Sequence, residues 1–236
     1  VIKILEWDCS EKLDEYIDQL KYVNLTQLVF ELIEKGSQDF ISGRLGYSQY
    51  VPLEKKHHIG IRSTIPDHVA ETIICHEIEH IELICAGFNM FLQPNKKNEE
   101  KPHWNTFCTS MLSTFSDIIV NRKLRKMGFD FKDINSSWFN SLAGVKYTSS
   151  DPKPLQLTNC LRATGARYIL SGKREREFKE AYLQRAKPIY LESIEIKKMA
   201  DKIGFNTPEK YNTLIKELVD YFKVGDDVIV LMQEFK

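Results

Sequence analysis

Residues 74–81 read Ile74-Cys75-His76-Glu77-Ile78-Glu79-His80-Ile81, "ICHEIEHI", with two histidines four apart and a glutamate directly after the first. On an α-helix, positions i and i+4 lie on one face, a turn apart. His76 and His80 can therefore offer two imidazoles to a single ion. Neutral imidazole nitrogen suits zinc, and a hydrolytic zinc site has three protein ligands with one position left open for water. Glu77 lies one residue round from His76, where its carboxylate reaches the water rather than the ion. Zinc lowers the pKa of that water towards neutrality, and a carboxylate can then take its proton.

The plain alternative is an amphipathic helix that carries two histidines. Its surroundings argue against that. Val69, Ile73, Ile74, Ile78, Ile81, Leu83 and Ile84 flank the motif, so the helix is buried on most sides, and histidines buried there need partners. A metal is the economical partner. Thr64 and Asp67 have capping-box spacing with Pro66 between them, which predicts a helix start at Thr64, and Gly87 is a natural stop.

Upstream, "VIKILEW" (1–7) reads as a strand. Helical periodicity is expected through "SEKLDEYIDQLKYV" and again through "NLTQLVFELIEKG", ending at Gly36. Two strands are expected around Pro52, because Ile59 and Ile61 alternate with polar residues. Downstream, "QPNKKNEEK" (93–101) reads as an exposed loop. A long helix follows, from Trp104 to Lys126, closed by Gly128. Residues 129–154 look irregular. From Leu155 the pattern is almost all helical, with breaks at Pro188, Gly204 to Pro208 and Gly225, while "DDVIVLMQEF" could be strand or helix.

Bulk properties bound the function. Lys+Arg and Asp+Glu both number 33, so the formal net charge is zero. That argues against a nucleic-acid or membrane-surface partner. The basic runs at 122–126 and 173–176 read as solvated helix faces. Five cysteines without a CxxC pair suit reduced thiols. No apolar run reaches transmembrane length, and "VIKILEWDCSEK" lacks the build of a signal peptide, so a cytoplasmic setting is the expectation.

With these residues in place, His76-Glu77-Ile78-Glu79-His80 resembles the HExxH helix of the zincin-type metallopeptidases. "HHIGIRS" (57–63) is similar to the zincin edge strand, which lies along the cleft and pairs with an extended substrate. The resemblance covers residues 45–128 or thereabouts. It implies zinc as cofactor and a peptide or protein as substrate.

Two residues compete to be the third ligand. Asp117 and Asn121 share a helix face, and Asp117-x-x-x-Asn121 resembles, with shorter and neutral replacements, the E-x-x-x-D element of gluzincins. There the Glu binds zinc and the Asp orients a ligand histidine, which casts Asn121 as support behind the ligands. A D-x-x-(I/V)-N element of bacterial metallopeptidases is closer still. Ser110, Thr114, Asp117 and Asn121 form one polar stripe beside the apolar Phe107, Met111, Phe115 and Ile118. Small polar residues there would let the two helices approach closely.

The competitor is His103, in "KPHWNTF", which resembles the H-x-x-x-F element of SprT- and WLM-type zinc peptidases. It lies fourteen residues from Asp117, about 21 Å along a straight helix. Both cannot bind one ion, and Asp117 is the preferred ligand. Glu79 and Glu82 are poorer choices, since Glu82 is two past His80 on another face. His57 and His58 precede the candidate edge strand; alternation lets one of them face the cleft, and His58 is the candidate substrate contact. Tyr147 or Tyr168 could supply an oxyanion donor.

The expectation is an α+β protein. A zincin-like catalytic domain (1–150) combines a small mixed sheet, the HExxH helix and a second ligand-bearing helix; a mostly α-helical region (151–236) follows. The expected activity is zinc-dependent peptide hydrolysis, with Glu77 as general base and His76, His80 and Asp117 (or His103) as ligands. The rival is a zincin-like regulatory or interaction protein with a structural metal closed by four protein ligands.

Overall fold

A computed structural model describes residues 3–5, 7–37, 45–51, 53–88, 90–132, 134, 142 and 145–232. The architecture is mixed α+β. The chain forms two compact units that interleave along the sequence: residues 1–86 with 120–134, and residues 87–119 with 135–236.

The first unit opens with a hairpin, β1 (Lys3–Ile4) and β2 (Trp7–Asp8), where a single strand is expected from sequence. Leu5 at φ 54 makes the turn between them. Helix α1 (Glu11–Ile17) is started by Ser10, whose side chain accepts from the Lys12 N–H, and it stops well short of Val23. The helix expected over "NLTQLVFELIEKG" is instead a short 3-10 turn at Leu25–Gln27 and a strand, β3 (Leu28–Ile33). Val29, Phe30 and Ile33 are β-branched or aromatic, and pairing with a neighbouring strand overrides the spacing of Leu28 and Leu32.

That neighbour is β5 (Lys56–Arg62), which lies between β3 and β4 (Gly46–Val51). It runs parallel to β3 and antiparallel to β4. The stretch expected to be an edge strand is therefore the central one, with its backbone bonds used on both sides. The antiparallel edge is β4. Pro52, between the two, lies outside the described residues.

Ile59 and Ile61 are fully buried on one face of the sheet, and α2 (Asp67–Cys85) packs against β4 and β5. The helix starts three residues later than the capping-box spacing suggests. Pro66 stands at its N-cap with no side-chain bond, its carbonyl accepting from Val69 and Ala70. It ends just before Gly87, whose φ of +102° fits a helix stop. The α2 residues Ala70, Ile74, Cys75 and Ile78 are wholly buried.

Helix α3 runs from Trp104 to Lys126, as the sequence predicts, and contributes its last two turns to the first unit. Gly128, at φ +86°, ends it.

In the second unit, β6 (Met90–Pro94) pairs with β7 (Val228–Met232), so the ambiguous C-terminal stretch is a strand as far as it is described. Between them, after α3, come the described helices α4 (Lys153–Ile169), α5 (Gly172–Arg185), α6 (Lys187–Ile203) and α7 (Pro208–Tyr221). Pro188 sits in the first turn of α6, where its missing N–H costs nothing, rather than between helices. Thr207 caps α7, and Tyr211, Leu214, Ile215 and Leu218 form its buried stripe. They join Phe107, Met111, Phe115 and Ile118 of α3 in one apolar core. Among the described residues no helix is long and apolar enough to cross a membrane.

Candidate metal centre

Helix α2 carries four glutamates that are buried, Glu71, Glu77, Glu79 and Glu82, at 8%, 9%, 2% and 5% exposure. Buried carboxylates need partners. Three have them. Glu71 accepts from the Ser10 hydroxyl at 2.6 Å. Glu79 accepts from Lys123 Nζ at 2.6 Å and from the Tyr16 hydroxyl at 3.2 Å. Glu82 takes the backbone N–H groups of Lys21, Tyr22 and Val23 at 3.1, 2.7 and 2.6 Å. Glu79 and Glu82 are thus spent on structure, which removes them as ligands. Glu77 is the exception: among the described residues nothing hydrogen-bonds or ion-pairs with its carboxylate.

The histidines on either side of that carboxylate converge. His76 Nε2 and His80 Nε2 are 3.0 Å apart. Two ligands held at about 2.0 Å by a tetrahedral ion stand about 3.3 Å apart, so the spacing is close to that of a shared metal. His76 Nδ1 meets Asn121 Oδ1 at 3.2 Å. An amide oxygen can only accept, so Nδ1 carries the proton and Nε2 keeps its lone pair towards His80. Asn121 is itself buried, at 8%.

Asp117 completes the set. His76, His80 and Asp117 each offer one ligand atom, and all these atoms lie within 4.8 Å of one another. The three residues are half-buried. Two imidazoles and one carboxylate fit zinc, and three protein ligands leave a position open. Asp117 and Asn121, one turn apart on α3, thus stand in the group and behind it.

The other candidates lie elsewhere. His103 is exposed, just before α3, with φ 73° and its carbonyl accepting from the Phe107 N–H. It serves as a helix entry and is not among the gathered ligands. His58 shares a sheet face with Gly60, opposite to buried Ile59 and Ile61. Its Nε2 meets Glu54 at 2.9 Å and its Nδ1 meets Glu31 at 3.4 Å, so both ring nitrogens are engaged. It is His57 that faces the α2 side, beside Tyr50 at 4.9 Å between ring centroids, and burial lowers its pKa. The Tyr168 hydroxyl is bound to Asp201 at 2.6 Å. Tyr211, which the sequence does not single out, is the tyrosine close enough to feel Asp117. Burial first and that carboxylate second raise its pKa, and its hydroxyl donates to the Leu112 carbonyl at 2.8 Å.

Gly46 is a second residue missed from sequence. A Cβ there would lie 2.3 Å from Ile73 Cγ2 and 3.3 Å from Glu77 Oε1. The missing side chain is what lets β4 lie directly against α2 at Glu77. Arg62 N–H donates to the Leu45 carbonyl, which makes Gly46 and Ile61 a pair without mutual bonds. By alternation Gly46, Ser48 and Tyr50 turn their N–H and C=O groups away from β5, to a side where no described strand pairs.

No protein-family model, no curated protein and no solved structure matches the chain.

Proposed function

We propose that the chain is a zinc-dependent hydrolase, and specifically a zincin-like peptidase. The observation that carries the reading is the set of buried carboxylates on α2. Three are satisfied by protein groups, and the one with no hydrogen-bond or ion-pair partner among the described residues follows directly on His76. His76, His80 and Asp117 would hold the ion, and Asn121 fixes the tautomer of His76. Bound zinc supplies Lewis acidity, acidifying a water and polarising a carbonyl. Glu77 accepts the proton of the attacking water on its carboxylate and returns it to the leaving amine, as one group serving first as base and then as acid.

Two features favour hydrolysis of a peptide. On the side of β4 away from β5, where no described strand pairs, Gly46 lies beside Glu77, and an extended peptide can add to such an edge as a further strand. The described group has three ligands rather than the four of a closed structural site. The same donors suit ferrous iron, which elemental analysis distinguishes from zinc.

The test is Glu77→Gln against unfolded casein and a mixed fluorogenic peptide library. Zinc content is expected to stay at the wild-type level while cleavage falls about 100-fold or more, the usual worth of a general base. Unchanged cleavage by Glu77→Gln would refute the assignment.

A further inference from the structure

Within the first unit, α2 and the end of α3 are joined by two neighbouring bonds. One is His76 Nδ1 with Asn121 Oδ1 at 3.2 Å, and the other is Lys123 Nζ with Glu79 Oε2 at 2.6 Å. Glu79 lies one turn past His76 and directly before His80; Lys123 lies two residues past Asn121. The two links have different strengths. A neutral amide–imidazole bond is short-ranged and modest, whereas an ammonium–carboxylate bond is charge-assisted. The Glu79 side chain is only 3% exposed, so solvent screens its attraction to Lys123 little at that end. The Tyr16 hydroxyl donates to the same Oε2 atom and ties it to α1. Glu71 and Glu82, by contrast, are held by residues 10 and 21–23.

We propose that Lys123 is a positioning residue of the metal centre: through Glu79 it sets the register of α3 on α2, and so holds Asn121 on His76. The inference rests on the metal reading of His76 and His80. Lys123 touches neither the ligands nor any substrate. It acts through the helix, keeping Asn121 where its amide can orient the imidazole.

The experiment is a competition titration of the full chain with Zn²⁺ against a chromophoric chelator at one pH. The variants are Lys123→Met, Lys123→Arg, Glu79→Gln/Lys123→Met, Asn121→Ala and Lys123→Met/Asn121→Ala, with Glu71→Gln as a control for a buried carboxylate lost elsewhere on α2. Lys123→Met is expected to weaken zinc binding about 10- to 100-fold, the usual cost of losing an orienting contact behind a ligand. Lys123→Arg should restore affinity to within about threefold, and Glu71→Gln should leave it unchanged. Lys123→Met/Asn121→Ala should be no weaker than the worse of its two parents, because both losses act on His76. Should Lys123→Met fail to fold, Glu79→Gln/Lys123→Met removes both charges and leaves none buried alone; it should still show the weakened affinity. Wild-type affinity in the folded Lys123→Met or double variant overturns the proposal. So does full additivity with Asn121→Ala. A wild-type chain that takes up no zinc overturns the proposed function itself, a different result from either.

Discussion

Gly46→Ala adds one methyl group where β4 meets α2. The new carbon would stand 2.3 Å from Ile73 Cγ2, 3.3 Å from Glu77 Oε1 and 3.3 Å from the Gly60 carbonyl oxygen. Carbons in contact normally sit about 3.5–4.0 Å apart, so the Ile73 overlap exceeds 1 Å or so. Ile73 is β-branched and 4% exposed, and it has essentially one χ1 well on a helix. It cannot turn aside. Overpacking of this kind costs about 1–3 kcal/mol. The φ of Gly46 lies outside the left-handed region, so no backbone strain adds to it. Against the cost, alanine loses less chain entropy on folding, which returns about 0.4–1 kcal/mol. The net expectation is a loss of about 1–2 kcal/mol in the first unit. Because the chain has two compact units, a global melt would mix their signals. Amide hydrogen exchange of β5, read under conditions where opening is at equilibrium, reports the local term. Its amides should exchange about 5- to 30-fold faster. In an Ile73→Ala background the added methyl should cost nothing. An equal cost in both backgrounds, or no measurable cost in the wild type, would refute the steric account.

Other expectations follow from single groups. The bond to Glu54, then that to Glu31, raises the pKa of His58. A raised folded pKa means stability that is full below the unfolded value of about 6.5 and is lost as pH rises through the folded value. The stability gap between wild type and His58→Gln should therefore be larger at pH 5 than at pH 8 or so, by about 0.5 kcal/mol given that Glu54 is half exposed. Urea unfolding at both pH values measures it, and a gap that grows with pH contradicts the clamp. Tyr182 is 1% exposed, and its hydroxyl has no hydrogen-bond partner among the described residues. Tyr182→Phe should leave the second unit as stable or up to about 1 kcal/mol more so. A clear loss in thermal unfolding would mean that the hydroxyl is satisfied after all.

The parts legible in the sequence were those written in local spacing. The i, i+4 pairs His76/His80 and Asp117/Asn121 place four groups on two helices, and the Trp104–Lys126 helix has the bounds its pattern predicts. What the sequence hides is decided by distant partners. Residues 28–33 have spacing compatible with a helix, and only parallel pairing with β5 makes them a strand. The same pairing turns "HHIGIRS" from an edge into the sheet centre, a fact no local pattern records. Lys123 sits in a basic run that reads as a solvated face; its partner, Glu79, is found only once α2 is seen to be buried. Gly46 did leave a signal, since a glycine inside a strand often marks a close backbone approach. The alternation rule fixes that one of two adjacent histidines faces the helix, not which; the pairing of β5 with β4 puts His57 on the side of Gly46 and α2.

His76, His80 and Asp117 are proposed to hold one metal ion. Elemental analysis of the wild type, His76→Ala, Asp117→Ala and His103→Ala, purified without a metal-affinity column, tests it most directly. About one equivalent of zinc is expected in the wild type and in His103→Ala, and strong depletion in the other two. A wild type that carries no transition metal and takes up none when loaded, or depletion by His103→Ala with Asp117→Ala left intact, would contradict it.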